Sequence, residues 1–267
     1  MELRFAYSPC PNDTFTFFGI ASNRVRVDGH SISVRHHDIE SLNRRAMAGE
    51  YEITKMSFYA WLLLGGRYRL LRAGNALGYG CGPILVSRRP VSKADLPGLT
   101  IAFPGEHTTA HLLFRLYCPE AANRKFTTYD RIFGEILDGN VDCGVVIHES
   151  RFLYEQHGLY KVCDLGQWWE ETTGSPIPLG AIAVRSDVPA ELDMELDGVI
   201  RRSLMLARSD PALARPYIRE MACEMDDEVT AKHIAMFVNE FTMDIGEQGM
   251  QAVDRLKAMA KVAGIGP

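Results

Sequence analysis

His148 has the most direct chemical potential in this 267-residue chain. It closes the apolar run CGVVI, which reads as a buried strand, so the imidazole is expected at that strand's carboxyl end. An imidazole titrates near neutral pH and can accept and return a proton. Glu149 follows at once. In an extended chain the two side chains point to opposite faces, which makes Glu149 a cap or hinge contact. Taken alone, such a histidine is more often one hydrogen-bonded within a loop. Thr108 and Thr109 stand where PGEHTTA opens a helix, and hydroxyls and unpaired N–H groups there can hold a carboxylate or phosphate. Thr108 can also be nothing more than a helix cap. Ser57 lies at the mouth of the strand EITKM. It lacks a GxSxG frame and reads as a hydrogen-bond donor rather than a covalent nucleophile. Asn43, in ESLNRR, is expected on the same side.

The opening SPCPND is the next candidate. The run LRFAY reads as a first strand, Pro9 and Pro11 flank Cys10, and Asn12 and Asp13 precede the aromatics Phe15, Phe17 and Phe18. Proline fixes φ, and Asn or Asp readily caps a helix, so the pattern predicts strand, stiff loop and a helix from about Asp13. Open α/β sheets bind ligands at that edge, which brings Asp13 into the candidate site. A simple turn is the alternative. Trp168 and Trp169, in the turn-rich stretch WWEETTGSPIPLG, can wall a pocket for a planar ring or pack locally. The glycines of NALGYGCGP match neither GxGxxG nor a phosphate-binding loop, which argues against nucleotide binding.

Composition excludes several classes. With 46% hydrophobic and 24% charged residues the chain is ordinary globular protein, and a net charge of −5 supplies no basic field for nucleic acid. The apolar runs are too short to span a bilayer, and the start lacks the basic segment and apolar core of a secretory signal, so a cytoplasmic location is expected. Six cysteines without a CxxC pair read as free, mostly buried thiols, and eight histidines without HExxH give little support for a metal.

The elements that must position these groups alternate between strand and helix. HSISVRHHD reads as a strand, IESLNRRAMAGEY as a helix closed near Gly49, and EITKMSFYAWLLLGG as a strand turning helical after Ser57. YRLLRAG, CGPILVSRR, LTIAF and AIAVR read as strands, TAHLLFRLYC, YDRIFGEILDGN and RFLYEQHG as helices. From Glu191 the chain is helical. Pro211 starts one helix, Asp226 or Asp227 caps another, and Gly246 and Gly249 interrupt or end the next. This is an α/β chain. It divides naturally into a first lobe of 1–92 plus 185–267 and an inserted second lobe of 93–184, with a single α/β domain as the alternative.

Taken together, SPCPNDTFTF, KMSFYA, GYGCGPILV, FPGEHTTAHLL, CGVVIHESRF and WWEETTGSPIPLG resemble the 1,4-dihydroxy-6-naphthoate synthases of the futalosine route to menaquinone. The resemblance covers about two thirds of the chain. It implies a two-lobed fold like that of type 2 periplasmic binding proteins, with mixed sheets flanked by helices and an active site between the lobes. It further implies a lyase that converts cyclic dehypoxanthinyl futalosine to 1,4-dihydroxy-6-naphthoate and releases a small sugar-derived fragment. His148 matches the family's catalytic base. Ser57, Thr108 and Thr109 match pocket positions, and Asn43 is a weaker match. No metal or organic cofactor is implied. The partner is a small molecule carrying a carboxylate and a sugar-derived ring, with no nucleic acid or membrane, and homo-oligomer formation is left open. Chorismate dehydratases of the same pathway and non-catalytic solute-binding proteins share the fold. The IHE histidine and the double threonine favour the naphthoate synthases.

Overall fold

LRFAY forms the strand that its apolar residues favour. In β1 (Glu2–Tyr7) Leu3, Phe5, Ala6 and Tyr7 are buried while Glu2 and Arg4 face outward. The computed structural model describes residues 2–222 and 226–266. Cys223, read above as a free thiol, lies outside them. After β1 come α1 (Pro11–Ala21), β2 (Ser31–His36), α2 (Ile39–Met47) and β3 (Ile53–Ser57). They are followed by α3 (Phe58–Leu63), β4 (Tyr68–Leu70), β5 (Ala76–Gly78), β6 (Ile84–Ser87) and β7 (Ile101–Phe103). Next are α4 (Thr109–Tyr117), β8 (Arg124–Phe126), α5 (Ile132–Leu137), β9 (Cys143–Val146) and α6 (Ser150–Leu153). Then β10 (Tyr160–Asp164), α7 (Leu165–Thr173) and β11 (Ile177–Arg185) lead to the helical part. That part holds α8 (Asp193–Ser209), α9 (Pro211–Met221), α10 (Asp227–Phe237), α11 (Glu240–Met243) and α12 (Gly246–Val262).

The strands form two mixed sheets. The first runs β2-β1-β3-β11-β4, with β5 also paired to β11; β1 is parallel to β2 and β3, and β11 is antiparallel to its partners. The second runs β10-β6-β9-β7-β8, with β7 parallel to β8 and β9, and β6 antiparallel to β9 and β10. The chain therefore crosses between sheets at 79–83 and 174–176, whereas the punctuation at Pro97–Gly98 and the run AIAVR suggested 92–93 and 184–185. Pro97 and Gly98 instead close a short 3-10 turn inside the second unit. At one crossing Gly82 packs on Gly166 of α7, and a Cβ at Gly82 would lie 2.2 Å from the Gly166 Cα. Both positions must be glycine for the crossing strand to seat so closely.

Packing fixes α1 against this frame. Phe17 meets Phe5 edge-on with centroids 4.8 Å apart, and the Gly19 N–H donates to Ser203 Oγ of α8 at 2.9 Å. The helix begins two residues before Asp13 because Pro11, whose fixed φ suits the first helical position, starts it. Two sequence expectations fail here. Trp168 and Trp169 lie in α7, not in a loop: Trp169 is fully buried with its indole N–H on the Pro176 carbonyl, and Trp168 packs on Tyr117. Gly246 starts α12 and Gly249 sits inside it, where close packing on Ile245 leaves no room for a Cβ. The cysteines Cys10, Cys81, Cys118, Cys143 and Cys163 are free thiols. Among the described residues no helix is long and apolar enough to cross a membrane.

Candidate active site

The carboxyl ends of β1, β3 and β9 and the start of α4 converge on one cavity of about 600 Å³, counting its open mouth. Ser57, Thr108, Thr109 and His148 all line it. So do Asn12, Lys55, Cys81, His233 and Phe237, none of which was singled out as a site residue from the sequence. Neither Trp168 nor Trp169 reaches the wall. Its aromatic face is Phe237, from the helical part of the chain.

Ser57 ends β3 and caps α3 with extended backbone angles, so its side chain stands at the strand mouth. Asn43, fully buried in α2, sits behind it rather than in the cavity. Its Oδ1 accepts the Ser57 N–H at 2.8 Å, and its Nδ2 donates to Ser57 Oγ at 3.1 Å. The Asn43 amide thus takes up one lone pair of the serine hydroxyl and leaves its proton to donate, as its type suggested.

Asp13 is likewise behind the wall. It lies in the first turn of α1, where Ser8 donates to it through both N–H and Oγ, at 3.2 and 2.6 Å. Lys55 Nζ bridges both its oxygens at 2.5 and 2.6 Å, and the two side chains are 5% and 2% exposed. Asp13 thus holds a lysine whose stem lines the cavity. Sequence reading missed Lys55 because its position in a continuously buried strand, ITKMS, carries no polar signature beyond one residue.

The two threonine hydroxyls are committed to the protein. Thr108 Oγ1 donates to the Gly105 carbonyl at 2.9 Å and accepts the His111 N–H, so Thr108 is the cap of α4. Thr109 Oγ1 donates to the Leu179 carbonyl of β11 at 2.8 Å. The N–H groups of Thr109 and Ala110 lie in the first helical turn, where no intrahelical carbonyl reaches them, and these residues face the cavity. The anion-binding capacity of this corner is therefore in its backbone.

His148 follows β9 in the left-handed region, with φ 54°, unusual for a residue with a side chain. Glu149 adopts helical angles and leads into α6, so the extended alternation expected for the pair does not apply. The imidazole is half-buried by surface but enclosed by protein beyond its first neighbours. That burial, with Lys55 nearby, pushes its pKa down to about 3, against a smaller upward pull from Asp38. It is therefore neutral at physiological pH. Its Nδ1 lies 3.5 Å from Cys10 Sγ, and burial raises that thiol to about 12, keeping it protonated. Tyr129 meets the ring edge-on at 5.2 Å, and the His233 ring is stacked on it at 6.0 Å with 7° between planes.

Two further contacts draw the sides of the cavity together. The His107 ring Nδ1 and backbone N–H both approach Glu40 of α2, at 2.8 and 3.1 Å. Arg151, buried in α6, donates to the Gly80 carbonyl at 2.6 Å and to Asp164 at 3.2 Å.

The comparisons agree with this geometry. A 1,4-dihydroxy-6-naphthoate synthase of Thermus thermophilus is 44% identical over 263 residues, covering 98% of this chain and 95% of the relative. A crystal structure of an Archaeoglobus fulgidus protein superposes with a TM-score of 0.92 at 35% identity, covering 98% of both chains. A Candida albicans protein with the generic periplasmic binding protein fold superposes with a TM-score of 0.66 at 13% identity, covering 99% of this chain and 90% of its own. The fold is thus the periplasmic-binding-protein-like α/β fold expected. The model of the menaquinone biosynthesis family matches residues 3–262, across both sheets and every wall of the cavity, and the chain belongs to that family.

Proposed function

We propose that this chain is a 1,4-dihydroxy-6-naphthoate synthase, acting on cyclic dehypoxanthinyl futalosine. The observation that carries the reading is the placement of neutral His148 on the wall of a cavity in a chain 44% identical to a relative of that name. The substrate's carboxylate sits against the free N–H groups at the start of α4, with Thr108 and Thr109 shaping that turn through their own hydrogen bonds. Ser57 donates to a sugar hydroxyl or ring carbonyl, held by Asn43. Asp13 contributes through Lys55, which it neutralises and aims.

His148 takes a hydroxyl or carbon-bound proton. A retro-aldol-like cleavage of the carbon–carbon bond follows, and aromatisation of the ring drives loss of the sugar-derived fragment. The imidazolium formed returns its proton to that fragment. We read the two sheets as two lobes tied together across the cavity by the His107–Glu40 contact, a closed arrangement that excludes water from a bound ligand.

The test is a cofactor-free incubation of purified protein with cyclic dehypoxanthinyl futalosine, followed by chromatography and mass detection. Product that depends on His148 supports the reading. Unchanged substrate with folded protein refutes it, and conversion of chorismate in a parallel incubation would assign the chain to the dehydratases.

A further inference from the structure

A second imidazole lines the cavity, and its protonation state is set by a hydrogen-bond chain that begins at a buried ion pair. His233, from α10, has 0% of its surface exposed and packs against Phe237 with centroids 4.7 Å apart. Lys55 holds both oxygens of Asp13. The Asp13 carboxylate accepts from Asn12 Nδ2 at 2.9 Å, which turns the amide NH₂ of Asn12 toward Asp13 and its oxygen away. That oxygen lies 3.1 Å from His233 Nε2. An amide oxygen can only accept, so Nε2 carries the hydrogen and Nδ1 carries a lone pair. Nδ1 is buried and has no hydrogen-bond partner among the described residues. A buried acceptor left unpaired is costly. His233 lines the cavity, so a donor on a bound ligand can relieve that cost.

We propose that His233 is a second substrate-contacting residue, whose Nδ1 accepts a hydrogen bond from a hydroxyl of the ring ligand while Asn12 holds the Nε2–H tautomer. This rests on the reading that the cavity takes a hydroxylated naphthoate or its precursor. The two stacked imidazoles divide the work: His148 moves the proton, and His233 stays neutral and orients the hydroxyl. SPCPND then serves both rings from behind, Cys10 at His148 Nδ1 and Asn12 at His233 Nε2.

The tautomer can be read directly from ¹⁵N shifts in protein labelled at histidine nitrogen, with His233 assigned by its loss in His233→Gln. The free protein should show a protonated Nε2 and a bare Nδ1. Saturation with 1,4-dihydroxy-6-naphthoate, followed separately by calorimetry, should move the Nδ1 resonance toward hydrogen-bonded values. A protonated Nδ1 in the free protein, or an unmoved Nδ1 in protein saturated with the naphthoate, overturns the proposal alone. No binding of the naphthoate overturns both the proposal and the functional reading beneath it. His233→Gln retains a donor toward Asn12 but lacks the Nδ1 acceptor, and should lose roughly tenfold in kcat/KM, as one hydrogen bond implies. His233→Asn, which carries a carbonyl near the Nδ1 position, should recover part of that loss. Equal activity of the two folded variants would also count against the proposal.

Discussion

Asn43 and Ser57 exchange two hydrogen bonds, with Asn43 Oδ1 accepting the Ser57 N–H at 2.8 Å and Nδ2 donating to Ser57 Oγ at 3.1 Å. The pair ties α2 to the mouth of β3 and sets the direction in which the serine can donate. Asn43→Ala strands a buried N–H, which costs about 1–3 kcal/mol. For a chain of this size each kcal/mol lowers Tm by about 2–4 °C. Ser57→Ala leaves the N–H bonded to Asn43, so its melting temperature should stay near wild type while KM rises. Thermal melts and KM measured on both variants check the distinction. A Ser57→Ala protein that unfolds, or an Asn43→Ala protein as stable as wild type, would reverse the two roles.

The Lys55–Asp13 pair is the most deeply buried ion pair described, with both side chains at 5% exposure or less. Removing one partner leaves an uncompensated buried charge, which typically costs about 3–5 kcal/mol. Asp13→Asn and Lys55→Met should each destabilise by that order, and the double variant by less than their sum. Denaturant melts of the four proteins form the cycle. Strict additivity would show that the two charges do not depend on each other.

Much of the site was legible in the sequence, because its residues occupy turns with clear punctuation. SPCPND, PGEHTT and the end of CGVVI each mark a strand end by proline, glycine or a sudden polar residue. PGEHTT and the end of CGVVI placed Thr108, Thr109 and His148 on one edge, the end of EITKM placed Ser57 there, and all four line the cavity. What could not be read is depth. Asn43 and Asp13 lie on the expected side but one layer back, and spacing along a chain does not report which of two polar neighbours faces a cavity. His233 was invisible for a different reason. It sits within an ordinary amphipathic pattern in α10, and only the packing of α10 on α1 brings it to the site. Trp168 and Trp169 were misread because a turn-rich stretch follows them, while Asp164, by accepting the Gly166 and Gln167 N–H groups, starts a helix just before them.

The His107–Glu40 contact predicts a pH signature. The bond to Glu40 raises the His107 pKa against the opposing effect of burial. Burial would raise Glu40, but the hydrogen bonds from His107 and Asn43 outweigh it and hold the carboxylate below its usual range. The histidine contribution is complete below its unfolded value of about 6.5 and is lost as pH rises through the raised folded value. The carboxylate contribution is present above about 4.5 and is lost as pH falls through the depressed value. Their joint contribution is therefore greatest between these limits. His107→Gln should reduce Tm most near pH 5–6 and progressively less toward pH 8. Subtracting the variant's melting curve from wild type at each pH removes the background of the other histidines. A difference that grows toward alkaline pH would contradict the ion pair.

His148 combines an unusual backbone with a depressed pKa, and the two can be separated by substitution. Loss of a general base typically costs about 100-fold or more in rate, so His148→Ala should lose most turnover while still binding ligand. At φ 54° a Cβ is disfavoured, by about 1–2 kcal/mol for a residue in the left-handed region. His148→Gly should therefore be more stable than His148→Ala, and His148→Asn, which tolerates that region, should fold well and remain inactive. The pH profile gives an independent reading. Because burial holds the free imidazole near 3, kcat/KM should show no His148 limb around 6.5. A limb near 6.5 in kcat/KM that vanishes in His148→Asn, measured on its residual activity, would mean that the ring is more solvated than its surroundings indicate.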